Sequence, residues 1–134
     1  MDKMNVYLAG PLFTEGENDT KEEKEAITLR KQGYEVYSPL EQNDEIGFDI
    51  DKLYLRDINA MRQADFAVIC LDNYDSGTMA ELGWFVALEK PVYSYWSNWK
   101  FKEPDNLFIR GLALDNSNKL FSSSVALFDY LSNL

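Results

Sequence analysis

Phe66-Ala67-Val68-Ile69-Cys70-Leu71 runs into the turn cluster Asp72-Asn73-Tyr74-Asp75-Ser76-Gly77, and Thr78-Met79-Ala80-Glu81-Leu82-Gly83-Trp84 follows. The first six residues are apolar, partly β-branched and bounded by turn formers. They read as a buried parallel strand that feeds a helix from Thr78 to about Glu89. In an open α/β sheet, ligands bind in the crevice at the carboxyl ends of the strands. A glycine turn flanked by two carboxylates, Asp75 and Glu81, is therefore placed for chemistry on a small molecule. Two readings of Glu81 stand open. Thr78-x-x-Glu81 fits a capping box, in which Glu81 only reaches back to the helix start. Alternatively Glu81 is a nucleophile. Both readings put it in the first helical turn, where the helix dipole favours the ionised form that attack on an electrophilic carbon requires.

The pattern repeats outward from this unit. Met4–Ala9 reads as a first strand, ended by Gly10-Pro11. Asn18-Asp19-Thr20 offers caps for a helix to about Gln32, with Gly33 as its stop. Tyr34–Tyr37 is a short strand ended by Ser38-Pro39, and a polar loop spans Glu41 to Phe48. Asp49 caps a helix over Ile50–Gln63. Pro91–Tyr95 is a further strand, Trp96–Pro104 a loop, and a last helix runs from about Ser122 to Leu131. Strands alternating with helices imply right-handed crossovers and a parallel sheet. The expected fold is α/β: a single-domain, flavodoxin-like, doubly wound sheet of about five strands over residues 1–134. Gly10 stands without a GxGxxG pattern and no GxxxxGK[ST] loop occurs, so neither a dinucleotide nor a P-loop site is supported.

Composition narrows the chemistry. The 134 residues carry a formal net charge of −10, which argues against nucleic-acid polymers and anionic membranes. No apolar stretch approaches a membrane span, and Met1-Asp2-Lys3-Met4 leads directly into a strand. With the single cysteine, Cys70, inside an apolar strand, a cytoplasmic setting is expected. The chain has no histidine, so Ser-His, Cys-His and His-metal chemistry are excluded. Acid–base work falls to Asp, Glu, Tyr or Lys. An all-carboxylate Mg²⁺ or Ca²⁺ site has no loop signature here.

On the second helix, Ile50, Leu53, Tyr54, Met61 and Ala64 form an apolar stripe at helical spacing, and Asp57 falls near its middle. Either Asp57 tilts to solvent beside Arg56, or it lines a site with its pKa raised by partial burial, ready to donate a proton. Tyr7 would point across the same crevice, unless it simply packs in the core. Gln42-Asn43 could read a heterocycle edge through paired donors and acceptors, or be a solvated loop.

Taken together, Val6-Tyr7-Leu8-Ala9-Gly10-Pro11-Leu12-Phe13, Arg56-Asp57, the Asp75–Gly83 block with its Glu-Leu-Gly, and Asn106-Leu107-Phe108 resemble the nucleoside 2-deoxyribosyltransferase family. The resemblance implies a retaining two-step transfer of 2-deoxyribose between purine or pyrimidine bases, with no metal or organic cofactor. Glu81 would be the nucleophile at C1′ and Asp57 the acid that protonates the departing base. Tyr7 would orient the nucleophile and crowd the 2′ position, while Asp75 would hold a sugar hydroxyl. Gly10, Gln42 and Gly77 would complete the substrate site. Asn106 and Phe108 lie where members of the family lend residues to a neighbouring subunit, although Met is usual at the position of Phe108. The implied partners are 2′-deoxyribonucleosides, free nucleobases and further copies of the chain, from a dimer up to a hexamer. Crowded aromatics from Tyr93 to Phe101 point to the same assembly, because aromatic side chains favour interface cores.

Two rival readings share the fold. One is a 2′-deoxynucleoside 5′-monophosphate N-glycosidase. Such relatives carry a small serine where this chain has Asp75, and two like charges at close range cost about 4 kcal/mol at intermediate dielectric. The other is a non-catalytic nucleotide-sensing module.

Overall fold

The computed structural model describes residues 2–11, 18–42, 49–97 and 105–134. Five strands form one parallel sheet: β1 (Asn5–Ala9), β2 (Glu35–Tyr37), β3 (Phe66–Cys70), β4 (Val92–Tyr95) and β5 (Lys119–Phe121). Their order is β2-β1-β3-β4-β5, the doubly wound flavodoxin-like arrangement expected from the alternation of elements. Every neighbouring pair is parallel, with Tyr7 opposite Tyr37 on one side and Ala67 on the other.

The helices are α1 (Asn18–Lys31), α2 (Ile50–Gln63), α3 (Ser76–Ala87), α4 (Leu107–Leu114) and α5 (Ser124–Ser132). The period of two along the strands sorts the core into two layers. Tyr7, Ala9, Ala67, Ile69 and Val92 face Ile58 and Met61 of α2, Leu82 and Phe85 of α3, and Ala113 of α4. Val6, Leu8, Phe66, Val68, Cys70 and Tyr95 face Ala26 and Leu29 of α1, and Leu127 and Leu131 of α5. All five residues of β3 are buried, because helices cover the sheet on both faces. Cys70 is the buried small residue the sequence suggested.

Local chemistry fixes the ends of the elements. Gly33 adopts φ +100° just beyond α1, a conformation that favours glycine. Asp49 caps α2 by accepting from the Lys52 amide at 3.2 Å. At the other end of α2, the Lys90 ammonium donates to the carbonyls of Met61 (3.0 Å), Ala64 (2.8 Å) and Arg62. It thereby satisfies acceptors that a helix terminus leaves open.

Several sequence expectations require correction. Asn106–Ile109 opens a helix, α4, and Lys119–Phe121 is the fifth strand; neither had been located from the sequence. The stripe on α2 is shifted. Ile50 and Tyr54 are 79% and 59% exposed, and Ile58 with Met61 form the buried face. Tyr95 is fully buried, and Tyr93 packs on Phe66 and Tyr130 at 5.2 and 5.6 Å. Tyr95 is covered by its own chain and carries no argument for an interface, while Tyr93 is half-buried against those two rings. Trp99 and Phe101 lie outside the described residues. Among the described residues, no helix is long and apolar enough to cross a membrane.

Candidate active site

A cavity of about 350 Å³ opens at the carboxyl end of β1. That volume suits a small organic ligand. Its walls come from five parts of the chain. Ala9 and Gly10 follow from β1, Glu22 from α1 and Pro39 from the end of β2. Tyr54, Asp57, Ile58 and Met61 project from α2, and Gly77, Ala80, Glu81 and Trp84 from α3. The sheet order sets this location, since β1 lies between β2 and β3 and its end is where the connections diverge.

The β3–α3 turn aims one wall. Asn73 and Tyr74 take φ of 61° and 47°, a left-handed stretch that costs energy in non-glycine residues. The turn is held by the Tyr74 hydroxyl, which accepts from the amides of Asp105 (2.8 Å) and Asn106 (3.1 Å) and donates to the Asp105 carboxylate. Asp75 then caps α3, its Oδ2 accepting from the Thr78 amide at 3.0 Å and the Thr78 hydroxyl at 2.8 Å. The cap is therefore Asp75, and the Thr78–Glu81 capping box does not form. Glu81 stands in the second turn of α3, beyond the reach of most of the helix-terminal field.

Burial decides the electrostatics of Glu81 instead. It pushes the carboxyl up to about 7, against the Tyr7 hydrogen bond, which lowers it; Asp57 and Asp75 add to the rise. The expectation of a fully ionised group stabilised by a helix start is thus corrected, because desolvation outweighs the dipole. The Tyr7 hydroxyl donates to Glu81 Oε2, and Oε1 takes no hydrogen bond among the described residues. Tyr7 is itself fully buried, stacked on Tyr37 at 5.5 Å and tilted against Phe85 at 5.4 Å. With its ring covered, Tyr7 has no surface with which to crowd a 2′ position, and it reaches a ligand only by way of Glu81.

Asp57 is half-buried; it lines the cavity and also meets Arg56, at 3.3 Å. The Tyr37 hydroxyl donates to the same oxygen, Oδ1, at 2.6 Å. Oδ2 has no hydrogen bond among the described residues.

The remaining expected residues divide. Gly10 and Gly77 line the cavity. A Cβ on Gly10 would come within 3.2 Å of Cys70 Cβ, so the close approach of chain and strand explains that glycine. Asp75 is half-buried beside the cavity and occupied by capping at Oδ2. Gln42 does not join the lining; its amide donates to the Ser38 carbonyl at 3.3 Å. Asn43 lies outside the described residues. Asn106 caps α4 through the Ile109 amide at 3.0 Å, and Phe108 is 76% exposed; neither joins the cavity of its own chain.

The sequence reading missed Glu22, Tyr37 and Trp84. Glu22 is 7% exposed, and neither of its carboxyl oxygens finds a partner among the described residues. Trp84 also lines the cavity, and its indole N–H has no partner among the described residues. No lysine or arginine lines the cavity among the described residues.

The profile of the nucleoside 2-deoxyribosyltransferase family matches residues 6–123, which include every wall of this cavity. The chain belongs to that family. An uncharacterized protein of Ureaplasma parvum serovar 3 is 36% identical over 150 residues, covering 96% of this chain and 94% of its own. The 2-deoxyribosyltransferase of Bacillus psychrosaccharolyticus is 28% identical, with a TM-score of 0.69 over 97% of this chain and 91% of its own. The CMP N-glycosidase BcmB of Clostridium botulinum shares the fold at 22% identity, with a TM-score of 0.67 over 96% and 95%.

Proposed function

We propose that this member of the family transfers 2-deoxyribose between bases by a retaining double displacement, through a covalent deoxyribosyl ester of Glu81. The observation that carries the reading is the pairing of Glu81, held from below by Tyr7, with Asp57 on the same cavity wall system. Cleavage of an N-glycosidic bond builds positive charge at C1′, which a close carboxylate stabilises and then traps. Substrate cation character favours the ionised form of Glu81 at the moment it is needed. Asp57 Oδ2 gives its proton to the departing base, which turns the base into a neutral leaving group. A second base attacks C1′ of the ester, gives its ring N–H proton to the Asp57 carboxylate and releases the Glu81 carboxylate, which restores both groups. Two inversions give net retention. If water attacks instead, the product is free deoxyribose.

The acidic lining, which holds no lysine or arginine among the described residues, favours uncharged nucleosides over 5′-monophosphates. Asp75, beside the site, adds to that preference. We also infer that the active form is a homo-oligomer in which Asn106 and Phe108 complete a neighbour's site. Their exposure on α4, next to Leu107 at 78%, supports it.

The test is an exchange assay. Incubation of the protein with 2′-deoxyadenosine and a foreign base should yield the new deoxynucleoside by chromatography. Release of base from deoxycytidine monophosphate in preference to deoxycytidine would transfer the protein to the glycosidase class. Binding without any turnover would make it a sensing module.

A further inference from the structure

The Glu22 carboxyl is the least explained group in the cavity. It is 7% exposed, lines the cavity, and has both oxygens unpartnered among the described residues. A buried polar group without partners costs stability, so its retention calls for a ligand that satisfies it. The groups around it are also acidic. Glu25 lies on its own helix, Glu81 on α3 and Glu41 on the turn after β2, while Asp57 faces the same cavity from α2. The Ser38 hydroxyl faces Glu22 closely enough to lower it, but the contact falls outside hydrogen-bond geometry and leaves both groups unsatisfied among the described residues.

Position says which part of a ligand it meets. Sheet order puts β2 beyond β1 from α3, and beyond its own helix Glu22 meets Ser38 and Glu41 at the end of β2 as well as Glu81 of α3, so it stands between the nucleophile and the β2 side of the cavity. Asp57 is tied to the same side through Tyr37 of β2. A sugar with C1′ at Glu81 and its base leaving toward Asp57 therefore carries the heterocycle toward Glu22.

We propose that Glu22 is a base-recognition residue, offering the edge of the heterocycle one hydrogen-bond donor and one acceptor from a protonated carboxyl. This rests on the reading of the cavity as a deoxyribosyl-transfer site. Burial and the surrounding carboxylates push Glu22 up to about 8, so the proton is present at neutral pH. The protonated group pairs with an aminated ring edge, as in adenine or cytosine, donating to the ring nitrogen and accepting from the amine. Once ionised it has no donor and repels that ring nitrogen.

Calorimetric titration of free adenine and cytosine tests this without turnover, using wild type, Glu22→Gln and Glu22→Leu. Glu22→Gln keeps a donor and an acceptor but cannot ionise. Wild-type binding should weaken as pH rises through about 8, while Glu22→Gln binds within about threefold of wild type at neutral pH and loses that alkaline decline. Glu22→Leu should weaken binding about tenfold or more, the loss of one buried hydrogen-bonded pair. Its thermal midpoint should equal or exceed that of wild type. Hydrolysis of a preformed glycosyl-enzyme, with no base bound, should fall by a smaller factor than base affinity does in Glu22→Leu. Equal base affinity in all three proteins overturns the proposal, as does no binding of either base to wild type. A matching loss in glycosyl-enzyme hydrolysis, or a lower midpoint for Glu22→Leu, would make Glu22 a sugar-side or structural group. Tight, Glu22-dependent base binding in a protein without exchange would leave this inference standing and remove the transferase reading alone.

Discussion

The Tyr7 hydroxyl donates to Glu81 Oε2, joining β1 to α3 beneath the cavity. This contact opposes the burial that raises the Glu81 carboxyl to about 7. The same two residues thus set both the aim of the carboxylate and the pH at which it becomes a nucleophile.

For the free enzyme, kcat/KM should fall on the acid side with a midpoint near 7, as Glu81 takes up a proton. Tyr7→Phe removes the bond that holds the carboxylate down, so the acid limb should move to higher pH. A hydrogen bond to a charged group is worth about 1.5–3 kcal/mol, or roughly one to two pH units. A pH–rate profile of both proteins checks this, and an unmoved limb would detach Tyr7 from the tuning of Glu81.

Asp57→Asn should slow glycosidic cleavage by about 10²- to 10⁴-fold with little change in stability, since the amide keeps the shape and loses the proton. Donors whose base leaves without protonation should be spared. Equal losses on both kinds of donor would argue against the acid role.

Stability should fall as pH rises from about 4.5 to about 8. Glu22 and Glu81 both have folded pKa values above their ordinary 4.5. Their favourable contribution is complete below the unfolded value and is lost as pH climbs through the folded one. Denaturant unfolding of wild type and Glu22→Gln across this range should show the smaller slope in the variant. Identical slopes would contradict the buried carboxyl.

Lys90→Met should cost about 1–3 kcal/mol, because three carbonyls at the end of α2 lose their cation while the stem still packs. Urea unfolding measures it. A change under about 0.3 kcal/mol would show that water replaces the ammonium without cost.

The layers of the fold were legible because local and long-range signals agree: β3 is apolar at every residue, and Asp49 and Gly33 mark helix ends by side-chain chemistry. α4 and β5 were missed because both are short, at eight and three residues, and period alone does not separate such runs. Glu81 and Asp57 could be singled out by their places beside a strand end and on a mostly apolar helix face. Glu22 could not, since it sits among charged neighbours on α1 and reads as a solvated helix; only the packing of α1 against the end of β1 turns it inward. The Tyr37–Asp57 bond likewise depends on a contact between residues of separate elements.

The most direct measurement is peptide mass spectrometry after a brief reaction with 2′-deoxyadenosine and an acid quench. The account predicts one dehydrated deoxyribose on the peptide carrying Glu81, absent from Glu81→Ala, and discharged when a free base is added before the quench. Full exchange activity in Glu81→Ala, or an adduct borne by another residue, would contradict it.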